Sequence, residues 1–135
     1  MQLMSITIVQ LGSARRRGEG VRIGTVRRPP RGVPRKLWAR HDYFDVWYPA
    51  LAPSANLMRA TQAAFARRDE RQVWATFIRR YRAEMAKPDA SRTLDVLAAL
   101  SRSTNFSVGC YCEDEAWCHR SILRKLLKER RAKVR

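Results

Sequence analysis

The chain has 135 residues, of which 45% are hydrophobic and 30% charged, and a net charge of +16. That length suits one domain around one core, and no stretch approaches the roughly 20 apolar residues of a membrane-spanning helix. Three cysteines are too few for a disulfide framework and Met1–Leu11 lacks the pattern of a signal peptide, so a cytoplasmic setting is expected.

Ser5–Leu11 is β-branched and loosely alternating, the signature of a strand. An Arg- and Gly-rich loop follows to Gly20. Val21–Val26 alternates apolar and polar and predicts a second strand. Arg27–Pro34 holds three prolines, which fix φ and remove donors, so it is a stiff extended loop. Tyr43–Tyr48 predicts a third strand, ended by Pro49. Ser54 caps a helix whose expected buried face is Leu57, Thr61, Ala64 and Phe65. Asp69 caps a second helix reaching Met85, with Val73, Trp74, Phe77, Ile78, Tyr81 and Met85 recurring at three and four residues. A third, from Asp89 or Ser91, carries Leu94, Leu97 and Leu100. Phe106–Cys112 predicts the last strand, and a final helix runs from Asp114 to Arg131 on Ile122, Leu123, Leu126 and Leu127.

Strands interleaved with helices predict an α/β domain over residues 1–131, with a frayed basic tail at 132–135. The expected form is three layers: a mostly parallel or mixed sheet of about four strands flanked by about four helices. A mixed sheet follows if the first two strands pair as a hairpin.

The charge is localised. Residues 15–40 carry ten Lys/Arg against one acid, Glu19, and residues 119–135 carry eight against one, Glu129. The rest of the chain balances. Such a distribution attracts polyanions.

Several segments resemble a known family. They are Gly18–Gly32, Tyr43-Phe-Asp-Val-Trp-Tyr-Pro49, Leu51-Ala-Pro-Ser54, Phe77-Ile-Arg-Arg-Tyr-Arg-Ala-Glu84 and Cys118-His-Arg120. In this order they resemble the domain-of-unknown-function family 488, the YeaO-like proteins. The resemblance implies a three-layer α/β fold and brings no assigned activity. Pro29-Pro-Arg-Gly32 stands where the YeaO branch has Trp-Pro-Arg-Gly.

The segment Cys110–Leu123 holds the densest chemistry, because strand, loop and helix start is where α/β proteins place anion and substrate sites. Cys118 and His119 are the candidate catalytic pair, a thiol beside an imidazole. Against that role, three carboxylates lie just upstream, and helical spacing aligns Cys118 with Ile122 on the buried face. Arg120 offers a fork for phosphate, and Arg27, Arg28 and Arg31 in the stiff loop join it if both segments meet at one sheet edge. Asp42 and Asp45 are positioned to orient His119 or to pair with Arg27. Trp38, between Lys36 and Arg40, is the stacking candidate.

No metal is expected. Cys110, Cys112, Cys118 and His119 are zinc-type ligands, but no C-x₂-C knuckle is present, and neighbours on a helix diverge by about 100°. No cofactor is expected either, since neither a Walker loop nor a dinucleotide fingerprint occurs. Three functions follow. The first is a basic cleft binding a phosphate-bearing ligand, nucleotide or nucleic acid. The second is a small enzyme acting on such a ligand through Cys118 or an Asp/His pair. The third is a protein-interaction module.

Overall fold

Four strands form one sheet in a computed structural model of the chain, which describes residues 4–67 and 69–135. Positions 1–3 of the expected 1–131 domain lie outside those residues. The strands are β1 (Ile6–Gln10), β2 (Val21–Gly24), β3 (Val46–Trp47) and β4 (Phe106–Cys110). Their order is β1-β4-β2-β3 and every pairing is parallel, in an α/β fold. The hairpin alternative fails because β4 lies between β1 and β2, with Thr7, Ser107 and Arg22 in register across the three. All five β4 residues are buried, as a central parallel strand requires. A side chain at Gly109 would put Cβ 2.7 Å from the Val9 carbonyl oxygen, so the close passage of β1 needs glycine there.

The expected third strand shrinks to Val46 and Trp47. Asp42 turns the chain with φ of 63°, the Tyr43 N–H donates to the Trp38 carbonyl at 2.9 Å, and Phe44 is fully buried. Those residues therefore roof the sheet instead of extending it.

The helices are α1 (Ala55–Phe65), α2 (Glu70–Met85), α3 (Pro88–Leu100) and α4 (His119–Glu129). Ser54 Oγ caps α1 by accepting from the Leu57 N–H at 3.1 Å, and Asp69 caps α2 by accepting from the Arg71 N–H at 3.1 Å. Pro88 opens α3 at its first position. Of the apolar positions expected on α2, Val73, Phe77, Tyr81 and Met85 are buried, while Trp74 and Ile78 are half-buried beside them. α1 departs from expectation. Only Leu57 is buried and Phe65 is 39% exposed, because the helix packs against α2 and leaves its other flank in solvent.

All four helices feed one core, against Ile6, Phe106 and Val108 on one sheet face. The opposite face, with Val9, Leu11 and Val26, is covered by Trp38, Tyr43 and Phe44. The third layer is thus loop, since the proline-rich stretch cannot form a helix. The last helix is also shorter than expected. A 3₁₀ turn takes Glu115–Trp117, Cys118 is extended, and α4 starts at His119. The tail does not fray. Val134 bridges Ile6, whose N–H donates to the Lys133 carbonyl at 2.8 Å and whose carbonyl accepts from the Arg135 N–H at 2.9 Å. The free edge of β1 supplies the partners that a tail in solvent lacks. Among the described residues no helix is long and apolar enough to cross a membrane.

Candidate functional site

In a parallel sheet the carboxyl ends of the strands open on one edge, where crevice sites form. β4 ends there at buried Cys110, and exposed Cys112 follows. The chain returns through the 3₁₀ turn to Cys118, the N-cap of α4, with φ −126° and ψ 151°. The sulfurs of Cys110, Cys112 and Cys118 consequently lie within 4.8 Å of one another, with Cys110 and Cys112 Sγ 3.7 Å apart. The helical divergence that separated Cys118 from His119 in the sequence does not operate, because Cys118 is extended backbone.

His119 opens α4 and is 6% exposed. Its Nε2–H donates to the Thr25 carbonyl at 2.8 Å. In the neutral ring that bond leaves the lone pair on Nδ1, which stands 3.8 Å from Cys118 Sγ. Tyr81 meets the imidazole edge-on, with ring centroids 5.6 Å apart. The Cys118 thiol is held well below its ordinary range, chiefly by contacts from the Cys110 and Cys112 sulfurs and further by His119, against the opposing effect of burial. The same cluster pushes the Cys110 thiol up. Burial raises the Tyr81 phenol and brings Tyr111 up to about 12.

Arg120 lies inside, only 3% exposed. Its Nη2 donates to the Cys112 carbonyl at 2.6 Å, and its buried Nε has no partner among the described residues. The proline loop does reach this edge, since Tyr111 Oη donates to the Arg28 carbonyl at 2.9 Å. Arg27 donates to the carbonyls of Pro53 and Ala52, both at 3.2 Å. Arg28 and Arg31 are exposed and have no acidic partner among the described residues. So loop and helix start share an edge, but Arg120 points its bond at backbone while Arg28 and Arg31 meet solvent.

Asp45 serves another group. It pairs with Arg15 at 2.8 Å and accepts from the Arg22 N–H at 2.8 Å. Trp38 is anchored by its Nε1 donation to the Val33 carbonyl at 3.1 Å and lies under the Arg35 guanidinium at 5.7 Å.

A buried ion pair escapes the sequence pattern. Arg22 is fully buried on β2, while its neighbour Val21 is 50% exposed, the reverse of the alternation. Arg22 Nε donates to Glu19 Oε2 at 2.8 Å and Nη2 to Oε1 at 3.0 Å. Nη1 donates to the carbonyls of Ser13 at 2.9 Å and Asp42 at 2.7 Å. Ser107 on β4 donates to Glu19 at 2.7 Å. Burial pushes the Glu19 carboxyl up, but Arg22, Ser107 and the Arg16 N–H outweigh it and hold it below its usual range. The available signal was a lone acid three residues before an arginine inside a strand.

A family model, DUF488-N3a, described as the active DUF488-N3 subclade, matches residues 6–131. No curated protein and no solved structure matches the chain.

Proposed function

The chain belongs to the DUF488 family, and from that premise we propose that it binds a phosphate-bearing ligand, nucleotide or nucleic acid, through Arg16, Arg17, Arg28 and Arg31. One observation carries this. Glu19, the single acid among residues 15–40, is 5% exposed and spent on Arg22. The four arginines are exposed and form no ion pair among the described residues. Their field therefore reaches solvent undiminished by their own segment, which favours polyanions. Arg27 anchors the loop to the Ala52–Pro53 carbonyls, and buried Arg120 holds the Cys112 carbonyl, so neither is a primary contact. A reducing cytoplasm is the setting that suits three free thiols.

Binding of labelled single-stranded DNA, RNA and a nucleoside triphosphate, each followed across a salt series, tests the proposal. The expected result is weak, steeply salt-dependent affinity. Changing Arg16, Arg17, Arg28 and Arg31 to Gln should shrink the slope by about 0.7 for each single-strand phosphate that is no longer neutralised. An unchanged slope and affinity in that variant would remove these loops from the footprint. A tight triphosphate and no polymer binding would select the nucleotide arm.

A second function has the 3.8 Å approach of Cys118 Sγ to His119 Nδ1 in its favour. There His119 takes the Cys118 proton, the sulfur bonds to the ligand's phosphorus as the P–O bond to the leaving group breaks, and the proton passes to the departing oxygen. Cys118 is 2% exposed, whereas Cys112 is open to solvent, so substrate would have to enter from the Cys112 side.

A further inference from the structure

We propose that Cys110, Cys112 and Cys118 bind a thiophilic divalent metal of the zinc class through three thiolates at the carboxyl end of β4. The donor spacing supports it. A tetrahedral zinc–sulfur distance of about 2.3 Å places ligand sulfurs about 3.8 Å apart. Cys110 and Cys112 Sγ are 3.7 Å apart, and all three sulfurs fall within 4.8 Å. Cys110 is the last residue of a central strand and Cys118 the N-cap of α4, so both are set by regular elements, while Cys112 lies two residues beyond the strand on the exposed side.

The surroundings match a metal centre in two further ways. His119 donates Nε2–H to the Thr25 carbonyl at 2.8 Å, the bond to backbone that orients a ligating imidazole and frees its other nitrogen. That nitrogen, Nδ1, is 3.8 Å from Cys118 Sγ; His119 is not one of the three clustered donors and neighbours the site through Cys118, leaving the fourth position to solvent or a ligand. Secondly, a divalent ion with three thiolates carries a net charge of −1, and Arg120 lies beside it. Arg120 is 3% exposed, bonded to the Cys112 carbonyl, and has a buried Nε with no partner among the described residues. Glu115 feels the Arg120 charge but is paired with Arg124 at 2.6 Å, and a buried cation with no ion pair of its own is costly. An anionic metal–thiolate centre would supply one. On binding, each thiol still protonated gives its proton to solvent. A metal here would occupy the sulfur lone pair that nucleophilic Cys118 needs, so the same test bears on the thiol enzyme but leaves arginine-loop binding untouched.

The test uses the full chain, purified under reducing conditions without chelator. About one zinc per chain is expected by elemental analysis. After chelation, cobalt(II) should restore thiolate-to-cobalt charge-transfer bands and the strong visible bands of a tetrahedral site. Cys112→Ser is the informative variant, because Cys112 is exposed and its replacement should leave the far-UV spectrum intact. Its metal affinity should fall by at least ~10–100-fold, the drop typical even of partners that only orient a ligand. The chelator-induced drop in thermal midpoint should disappear with it. Four results would overturn the proposal: zinc-free protein with no cobalt charge-transfer band, an octahedral cobalt spectrum, unchanged affinity in Cys112→Ser, or a cysteine disulfide that persists when zinc and reductant are supplied.

Discussion

Arg22 and Arg120 are both buried arginines next to β4, and they differ in how fully they are satisfied. Arg22 has both oxygens of the Glu19 carboxylate and two backbone carbonyls around its guanidinium. Arg120 has one carbonyl and an unpartnered Nε. The first network is closed and holds the Leu11–Gly20 crossover onto the sheet. The second is incomplete at Nε, and its one bond goes to the backbone of a clustered cysteine, Cys112. Closed polar networks specify a fold, whereas a half-satisfied one is costly by itself.

Breaking the closed network should give the largest effect. Arg22→Met leaves Glu19 buried without its cation and should cost about 3–5 kcal/mol, the usual loss when one partner of a buried pair is removed. Chemical denaturation with an unchanged denaturant slope would check it. A loss under about 1 kcal/mol would mean that water reaches Glu19 and the two arginines are alike.

Acid should sharpen the comparison next. The Glu19 carboxyl sits below its ordinary value of 4.5 in the folded chain. The folded state therefore binds the Glu19 proton less readily than the unfolded state. Its contribution is complete above that ordinary value and fades as pH falls through the lower, folded one. Denaturation midpoints taken from about pH 6 to about pH 3 should fall less steeply in Glu19→Gln than in the parent. Parallel curves would place the acid sensitivity elsewhere, with Asp45 and Glu115, which are also lowered.

The smallest effect is expected at the open network. Arg120→Gln keeps a donor for the Cys112 carbonyl and removes a buried charge, so metal-free protein should lose no more than about 1 kcal/mol. Thermal melting with chelator present measures it. A loss equal to that of Arg22→Met would erase the distinction.

Much of the fold was legible because its signals are local. Ser54 and Asp69 announce their helices, and the four-residue spacing from Val73 to Met85 marks the buried face of α2. Strand order was not legible, since pairing β1 and β2 on either side of β4 depends on contacts about a hundred residues apart for β1 and eighty for β2. The inward turn of Arg22 was hidden for the same reason: the groups that satisfy it come from Ser13, Glu19 and Asp42 in two separate loops. Within the site, Cys118, His119 and Arg120 stood out by chemistry. Their roles did not, because one extended residue at Cys118 brings three sulfurs together and no spacing rule encodes that backbone turn.

The backbone bridge at Val134 has a bearing on life at high local density. A polycation gathering on a polymer brings many copies side by side, where an unprotected strand would invite them to zip together. Here one rim of the sheet is covered at Ile6 by the Val134 bridge and the other is only Val46 and Trp47. Neither offers a long ladder of unused backbone donors and acceptors.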